Sequence, residues 1–301
     1  MSKLVIVVLL VAAGVTGWLY SFRGEPARHP SPSSPRSASS APLALAEEEK
    51  AATTPAPADT KKEAQPTEPT EPPAPTATDT KKKYPAQDPS QGALEGKITF
   101  EGELPVFKLP EIRADHPEKT ACVDHLENET LILSENNEIK DVVVSVAKYK
   151  PENRVKPRTI TLDNKHCAFV PHVQAATVRS KLKITNSDLF LHNTRAVLAA
   201  SFNQAVAPGR EVEKTLRKPG WIPVGCDLHP WMRAHIWIFA HDLFDVSEAD
   251  GAYKIPNIPP GEYDIEYWHE YPLKRQTKKV TIEAGKTTRL DVAFRKQEKK
   301  K

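Results

Sequence analysis

From about residue 92 onward, apolar and polar residues alternate along the chain with a period of two. This alternation predicts β-strands, because successive side chains of a strand point to opposite faces of a sheet. Turn-forming triplets such as "APG", "PPG" and "EAG" separate the alternating stretches. The pattern predicts an all-β sandwich, with a short helix around Cys122. The alternating positions are Val142/Val144/Val146, Ile160/Leu162, Leu182/Ile184, Ile236/Ile238, Tyr263/Ile265/Tyr267, Val280/Ile282 and Leu290/Val292/Phe294.

The N-terminal part of the chain follows a different pattern. Leu4 to Tyr20, "LVIVVLLVAAGVTGWLY", is an uncharged apolar run at the short limit of a membrane-spanning helix. No convincing cleavage site closes it, so we expect residues 1–22 to be a transmembrane anchor; a cleaved secretory signal is the alternative, and both imply export. Residues 23–92 are rich in Pro, Ala, Thr, Ser, Glu and Lys, which predicts a disordered linker.

Charge and cysteine content narrow the functional class. A net charge of +3 with mixed signs gives no signature of nucleic-acid binding, and residues 297–301 are expected to be a solvated basic tail. Three cysteines are an odd number for an exported chain. The economical arrangement pairs Cys122 with Cys167 and leaves Cys226 free. Pairing Cys226 with either of the others is the alternative.

Residues 226–232, "CDLHPWM", place a thiol, an imidazole and a thioether in one loop. These donors suit copper, and a mononuclear electron-transfer copper site needs two imidazoles, one thiolate and a weak axial thioether. The second imidazole is expected from "ITNSDLFLHN" (184–193), which follows an alternating strand. The sequence therefore predicts one type 1 copper ion, with the ligands His192, Cys226, His229 and Met232.

Other polar residues of this region are assigned supporting or structural roles. Asn186 is expected to hold the cysteine loop by hydrogen bonds. His172 is the main rival of His192, but it precedes the strand that delivers His192 and is expected to be structural or near the surface. His235 is expected at solvent or at an interdomain surface.

The loop spacing followed by Arg233, with the preceding segment 167–188, resembles the cupredoxins, most closely the amicyanin-like methylamine-utilisation group. This resemblance covers roughly residues 158–242. It implies a Greek-key β-sandwich and a blue-copper electron carrier with a dehydrogenase-like or cytochrome-like redox partner. Segments 92–105, 248–270 and 278–294 resemble a carboxypeptidase-regulatory or transthyretin-like domain, which implies a second, small β-sandwich.

The predicted organisation has two β domains behind an anchor and a linker. The two domains either follow one another or are nested, with the copper domain inserted into the other. The boundaries are 1–22 for the anchor, 23–92 for the linker, 93–157 for the N-terminal strands, 158–245 for the copper domain, 246–296 for the transthyretin-like strands and 297–301 for the tail.

The leading functional hypothesis is an extracytoplasmic type 1 copper protein that transfers electrons and is attached to the membrane by its N-terminal helix. Its alternatives are a copper storage or delivery module and a metal-free extracellular carbohydrate-binding or adhesion module. An enzyme is not expected, because four protein ligands leave no open coordination position.

Overall fold

The computed structural model describes residues 82–270 and 273–296, which belong to one compact unit. The predicted anchor 1–22, most of the linker 23–92 and the tail 297–301 lie outside the described residues. None of the helices formed by the described residues has the length and apolar character needed to cross a bilayer.

The all-β prediction is confirmed for the described residues, in which strands dominate and the α-helix α1 is a single turn. A 3-10 turn, Val123–His125, follows α1 (Lys119–Cys122) in the expected position around Cys122. The strands are β1 (Gly92–Phe100), β2 (Val143–Val146), β3 (Thr159–Lys165), β4 (Ala168–Val170), β5 (Val173–Thr177), β6 (Lys181–Asn186), β7 (His192–Ala196), β8 (Phe202–Val206), β9 (Glu211–Thr215), β10 (Gly220–Gly225), β11 (Arg233–Phe239), β12 (Phe244–Val246), β13 (Ala252–Ile258), β14 (Gly261–Trp268), β15 (Gln276–Ile282), β16 (Thr287–Arg289) and β17 (Val292–Phe294).

Strands β3 to β11 form two sheets around one apolar core, which we term the central sandwich. The sheet orders are β4-β3-β6-β9 and β5-β11-β10-β7-β8. The alternation seen in the sequence sets the inward faces: in β6, Leu182 and Ile184 are fully buried while Lys181 is exposed. The core draws residues from both sheets, including Leu162, Phe169, Leu182, Ile184, Ile222 and Ile236.

The strands before and after the central sandwich build a second pair of sheets, which we term the flanking sandwich. Strand β1 pairs with β13, β16 and β17, and the second sheet has the order β12-β2-β14-β15. Both sheets contribute to one core, including Leu94, Ile98, Val144, Tyr253, Tyr267 and Phe294. At Gly96 a Cβ atom would lie 2.0 Å from the carbonyl oxygen of Leu290, so the backbones approach too closely there for any side chain.

Aromatic side chains join the two sandwiches. The ring of Trp268, at the end of β14, lies 5.4 Å from that of Trp237 and 6.0 Å from that of Trp221, both in the central sandwich. Aromatic pairs at such separations contribute about 0.5–1.5 kcal/mol each beyond the area they bury. The two sandwiches therefore contact each other through tryptophan side chains.

The last residues of the predicted linker lie within the described part of the chain and make hydrogen bonds to the flanking sandwich. Tyr84 donates a hydrogen bond from its hydroxyl to Asp245 at 2.9 Å, and Asn257 donates from its amide to the carbonyl of Ala86 at 2.9 Å. Tyr84 and Ala86, which fall within the predicted linker, thus contact the flanking sandwich. Individual hydrogen bonds, rather than an apolar pattern, hold this segment.

Candidate metal centre

Three of the four predicted ligands converge at one end of the central sandwich. The candidate ligand atoms of His192, Cys226 and His229 lie within 4.8 Å of one another, and all three residues are buried. Sγ of Cys226 lies 3.6 Å from Nδ1 of His229. The imidazole centroids of His192 and His229 are 4.5 Å apart. Met232 is 1% exposed and belongs to the same core as Cys226.

Local strand geometry explains why these side chains meet. His192 is the first residue of β7. The cysteine loop joins β10 to β11, and every residue of β10 pairs with β11. The amide of Cys226 donates to the carbonyl of Met232 at 3.3 Å, and the amide of Met232 donates to the carbonyl of His229 at 2.9 Å. The loop therefore closes on itself, with its donor atoms held on one side.

Asn193, and not Asn186, holds the cysteine loop. Its side-chain oxygen accepts hydrogen bonds from the amides of Asp227 at 2.8 Å and Leu228 at 3.3 Å, and from Sγ of Cys226 at 3.2 Å. The amide of Asn186 instead donates to the carbonyls of Phe190 and Val206. The prediction for Asn186 was wrong because this residue, at the end of β6, faces the turn before β7.

His192 is held in one tautomer by a carboxylate. Its Nε2 lies 2.9 Å from an oxygen of Asp188, which can only accept, so Nε2 carries the proton. The lone pair is then on Nδ1, which is buried and has no hydrogen-bond partner among the described residues. Burial lowers the pKa of His192, which keeps the ring neutral and able to bind a metal.

His229 is covered by the segment before α1 that contains His116, which we term the lid. Its ring centroid is 5.2 Å from that of His116 and 5.2 Å from that of Trp231, and its exposed fraction is 1%. Nε2 of His116 donates to the carbonyl of Leu228 at 3.0 Å, which fixes the lid on the cysteine loop. Burial, together with the neighbouring His192 and His116, lowers the pKa of His229 to about 4.

The predicted disulfide is confirmed. Cys122 and Cys167 are joined with a Cα–Cα separation of 5.5 Å, which leaves Cys226 as a buried free thiol. The alternative pairings of Cys226 are therefore excluded. Burial raises the pKa of the Cys226 thiol, so a metal that binds it must displace the proton. The indole of Trp231 donates to the carbonyl of Cys167 at 3.2 Å, which links the disulfide to the loop.

His172 and His235 form a separate cluster with Glu270, where the two sandwiches meet. Nε2 of His172 lies 2.5 Å from one oxygen of Glu270, and Nε2 of His235 lies 3.3 Å from the other. Nδ1 of His172 donates to the carbonyl of Arg233 at 3.0 Å, and Nδ1 of His235 accepts the indole N–H of Trp221 at 3.2 Å. Each of the four ring nitrogens thus has a polar neighbour. The three residues form a second group whose ligand atoms lie within 4.8 Å of one another, separate from the group that contains His192.

The charges of this cluster stabilise one another. Burial acts to raise the pKa of Glu270, but the two histidines lower it to about 2. Burial acts to lower the pKa of His172, but the hydrogen bond and charge of Glu270 raise it above its ordinary value. Glu270 follows β14 of the flanking sandwich, so the cluster ties that sandwich to the central one.

The residues present fit a copper ion on the chemistry of their donors. The unpartnered Nδ1 of His192 and the imidazole nitrogen of His229 that faces the free thiol of Cys226 converge, and the buried Met232 belongs to the same core as Cys226. Soft sulfur and imidazole donors select copper over magnesium or calcium.

The chain matches no protein-family model and no curated protein. Among solved structures it is similar to a copper-containing nitrite reductase from Thermus scotoductus, with 21% identity, 32% of this chain and 25% of that chain covered, and a TM-score of 0.26. The chain thus spans a quarter of that enzyme. A purple cupredoxin from Nitrosopumilus maritimus is 18% identical over 26% of this chain and 98% of its own, with a TM-score of 0.24.

A copper(I) amicyanin variant is also similar to the chain, with 16% identity, 27% of this chain and 82% of that chain covered, and a TM-score of 0.25. The resemblance of the flanking strands to a transthyretin-like domain stays a prediction.

Several residues around the site have roles that sequence reasoning missed. Asp188 and Asn193 stand four residues before and one residue after His192, and their closeness in the chain was the available signal. His116 of the lid is more than a hundred residues from the loop, and no local pattern connects it with the loop.

Proposed function

We propose that this protein is an electron carrier with one type 1 copper ion held by His192, Cys226, His229 and Met232. The observation that carries the proposal is the buried convergence of the two imidazoles and the free thiol within 4.8 Å. Bound there, a copper ion supplies a one-electron couple. The imidazoles and the thiol supply the near-trigonal donor set, and Met232 supplies the weak axial donor.

The surroundings of the donors favour electron transfer over chemistry on a substrate. Asn193 and Asp188 hold the cysteine loop and His192, so a change of oxidation state requires little rearrangement. The lid covers His229 and limits access of water to the donors. Four protein ligands leave no coordination position for a substrate, and we therefore propose a carrier rather than an enzyme.

The disulfide supports an extracytoplasmic location, since such bonds persist in oxidising compartments. Attachment through residues 1–22 belongs to the same proposal, as does a dehydrogenase-like or cytochrome-like redox partner. Membrane fractionation of the full-length protein, with and without residues 1–22, tests the attachment. Recovery of both forms in the soluble fraction would contradict it.

The direct test is to load the full-length chain with Cu(II) and record visible and electron paramagnetic resonance spectra. We expect one copper ion per chain and an intense thiolate-to-copper band that Cys226→Ala abolishes. His192→Ala and His229→Ala are expected to lose the band as well. His241→Ala is the matched control, because His241 is equally buried but lies outside the site. A spectrum without a thiolate band would refute the proposal.

The same sample separates a carrier from a copper storage or delivery module. A carrier is expected to retain its copper through repeated cycles of chemical reduction and oxidation. Rapid transfer of copper to a competing chelator, without reversible redox cycling, would instead favour delivery. Absence of stoichiometric copper would favour the metal-free binding module.

A further inference from the structure

Asp188 stands at a junction between the candidate copper site and the disulfide. One carboxylate oxygen accepts the amide N–H of His166 at 2.6 Å. The other accepts the amide N–H of Cys167 at 3.0 Å and the ring Nε2–H of His192 at 2.9 Å. The side chain of Asp188 is 9% exposed. A nearly buried carboxylate thus receives three hydrogen bonds, one of them from a candidate ligand.

The turn whose amides donate to Asp188 has an uncommon backbone conformation. His166 and Cys167 both have positive φ, at 53° and 58°, in the tight turn between β3 and β4. Residues with side chains adopt this conformation rarely, so the turn needs support. Asp188 supports it by accepting both amides, and the disulfide from Cys167 ties it to α1. The carboxylate therefore has a fixed position on the side that faces His192.

We propose that Asp188 is the positioning residue for His192: it keeps the ring proton on Nε2, directs Nδ1 at the copper, and supports Cu(II) more than Cu(I) through its charge. This inference rests on the proposed copper function and adds a residue to it. A carboxylate behind a ligating imidazole fixes the tautomer and orientation of the ring and raises its basicity. The buried, unpartnered Nδ1 is the atom left over by this arrangement.

The distinguishing variant is Asp188→Asn, with Asp163→Asn as matched control. Asp163 accepts hydrogen bonds from the hydroxyls of Thr185 and Ser187, both at 2.7 Å, and makes no hydrogen bond to a candidate ligand. In Asp188→Asn we expect the Cu(II) dissociation constant to rise about 10–100-fold. We also expect a higher reduction potential and altered copper hyperfine coupling. The control is expected to keep the potential and coupling of the wild type.

A second measurement needs neither a variant nor copper. Nitrogen-15 correlation spectra of the histidine rings in metal-free wild-type protein report the tautomer of His192, and we expect the Nε2–H form. The Nδ1–H form would overturn the inference, even if Asp188→Asn failed to fold.

The copper spectra separate the inference from the proposed function. If the wild type binds copper with a thiolate band but Asp188→Asn matches Asp163→Asn in potential and affinity, the role of Asp188 is refuted while the copper site stands. If the wild type shows no such band, the proposed function fails, and the tautomer of His192 still shows what the carboxylate does to this ring.

Discussion

Removing the disulfide is expected to destabilise the metal-free protein by an amount set by the loop it closes. The double variant Cys122→Ala/Cys167→Ala opens a loop with a sequence separation of 45 residues. In the chain-entropy description, a loop of this length stabilises the folded state by about 4 kcal/mol at 25 °C. Alanine is preferred to serine because both positions are buried, where a hydroxyl without a partner adds its own cost.

The assay is urea unfolding of metal-free protein in the presence of a chelator, followed by tryptophan fluorescence and far-ultraviolet circular dichroism. Removing the metal matters because copper bound to the native state would add its own stabilisation. We expect the midpoint to fall, and the urea dependence to steepen because the unfolded chain without its cross-link exposes more surface. Wild-type protein reduced with dithiothreitol should behave like the alanine variant.

The reasoning is refuted if the free energy of unfolding falls by less than about 1 kcal/mol in both samples. That result would mean that the unfolded chain already keeps the two segments together, so that the cross-link removes little freedom from it. A large loss in the alanine variant but not in the reduced wild type would assign the effect to the lost side-chain packing instead of the cross-link.

Three further changes test other parts of the structure by urea unfolding. Glu270→Gln removes the negative charge of the buried ion cluster and one of the two carboxylate oxygens that face His172 and His235, and it is expected to cost about 3 kcal/mol. On folding, the pKa of Glu270 falls from 4.5 to about 2 and that of His172 rises above 6.5. The difference in unfolding free energy between wild type and variant should therefore be largest between about pH 4.5 and 6.5 and smaller on either side. A difference that does not change with pH would contradict the pairing. Asn193→Ala leaves the loop amides without their acceptor and should cost about 1–3 kcal/mol, whereas an unchanged midpoint would show that water replaces the side chain. Gly96→Ala should cost at least about 1–3 kcal/mol through collision with the carbonyl of Leu290, and wild-type stability would show that the strands can separate there.

The parts of the protein that follow local rules were predictable from the sequence. Alternation along the chain gave the strands, because burial on one face of a sheet requires a period of two. The spacing of Cys226, His229 and Met232 indicated the loop, and His192 was found from the strand that precedes it. The odd cysteine count led to the correct pairing of Cys122 with Cys167.

The errors arose where the outcome depends on which parts of the fold face one another. Asn186 and Asn193 lie at neighbouring strand ends, and only the packing of β7 against the loop assigns the loop to Asn193. The cluster around Glu270 joins residues from both sandwiches, so no spacing within either segment indicates it.

The pairing of β1 with the last strands of the chain sets the order in which the protein can acquire its structure during synthesis. The three strands that pair with β1, namely β13, β16 and β17, lie in the C-terminal part of the chain, and the pairing with β17 ends at Phe294. The flanking sandwich can therefore form only after residues up to Phe294 have been synthesised, while the contiguous segment 159–239 contains every strand of the central sandwich. The central sandwich, which carries the candidate metal site, can therefore fold as it leaves a ribosome or export channel, while β1 is still without the strands that pair with it.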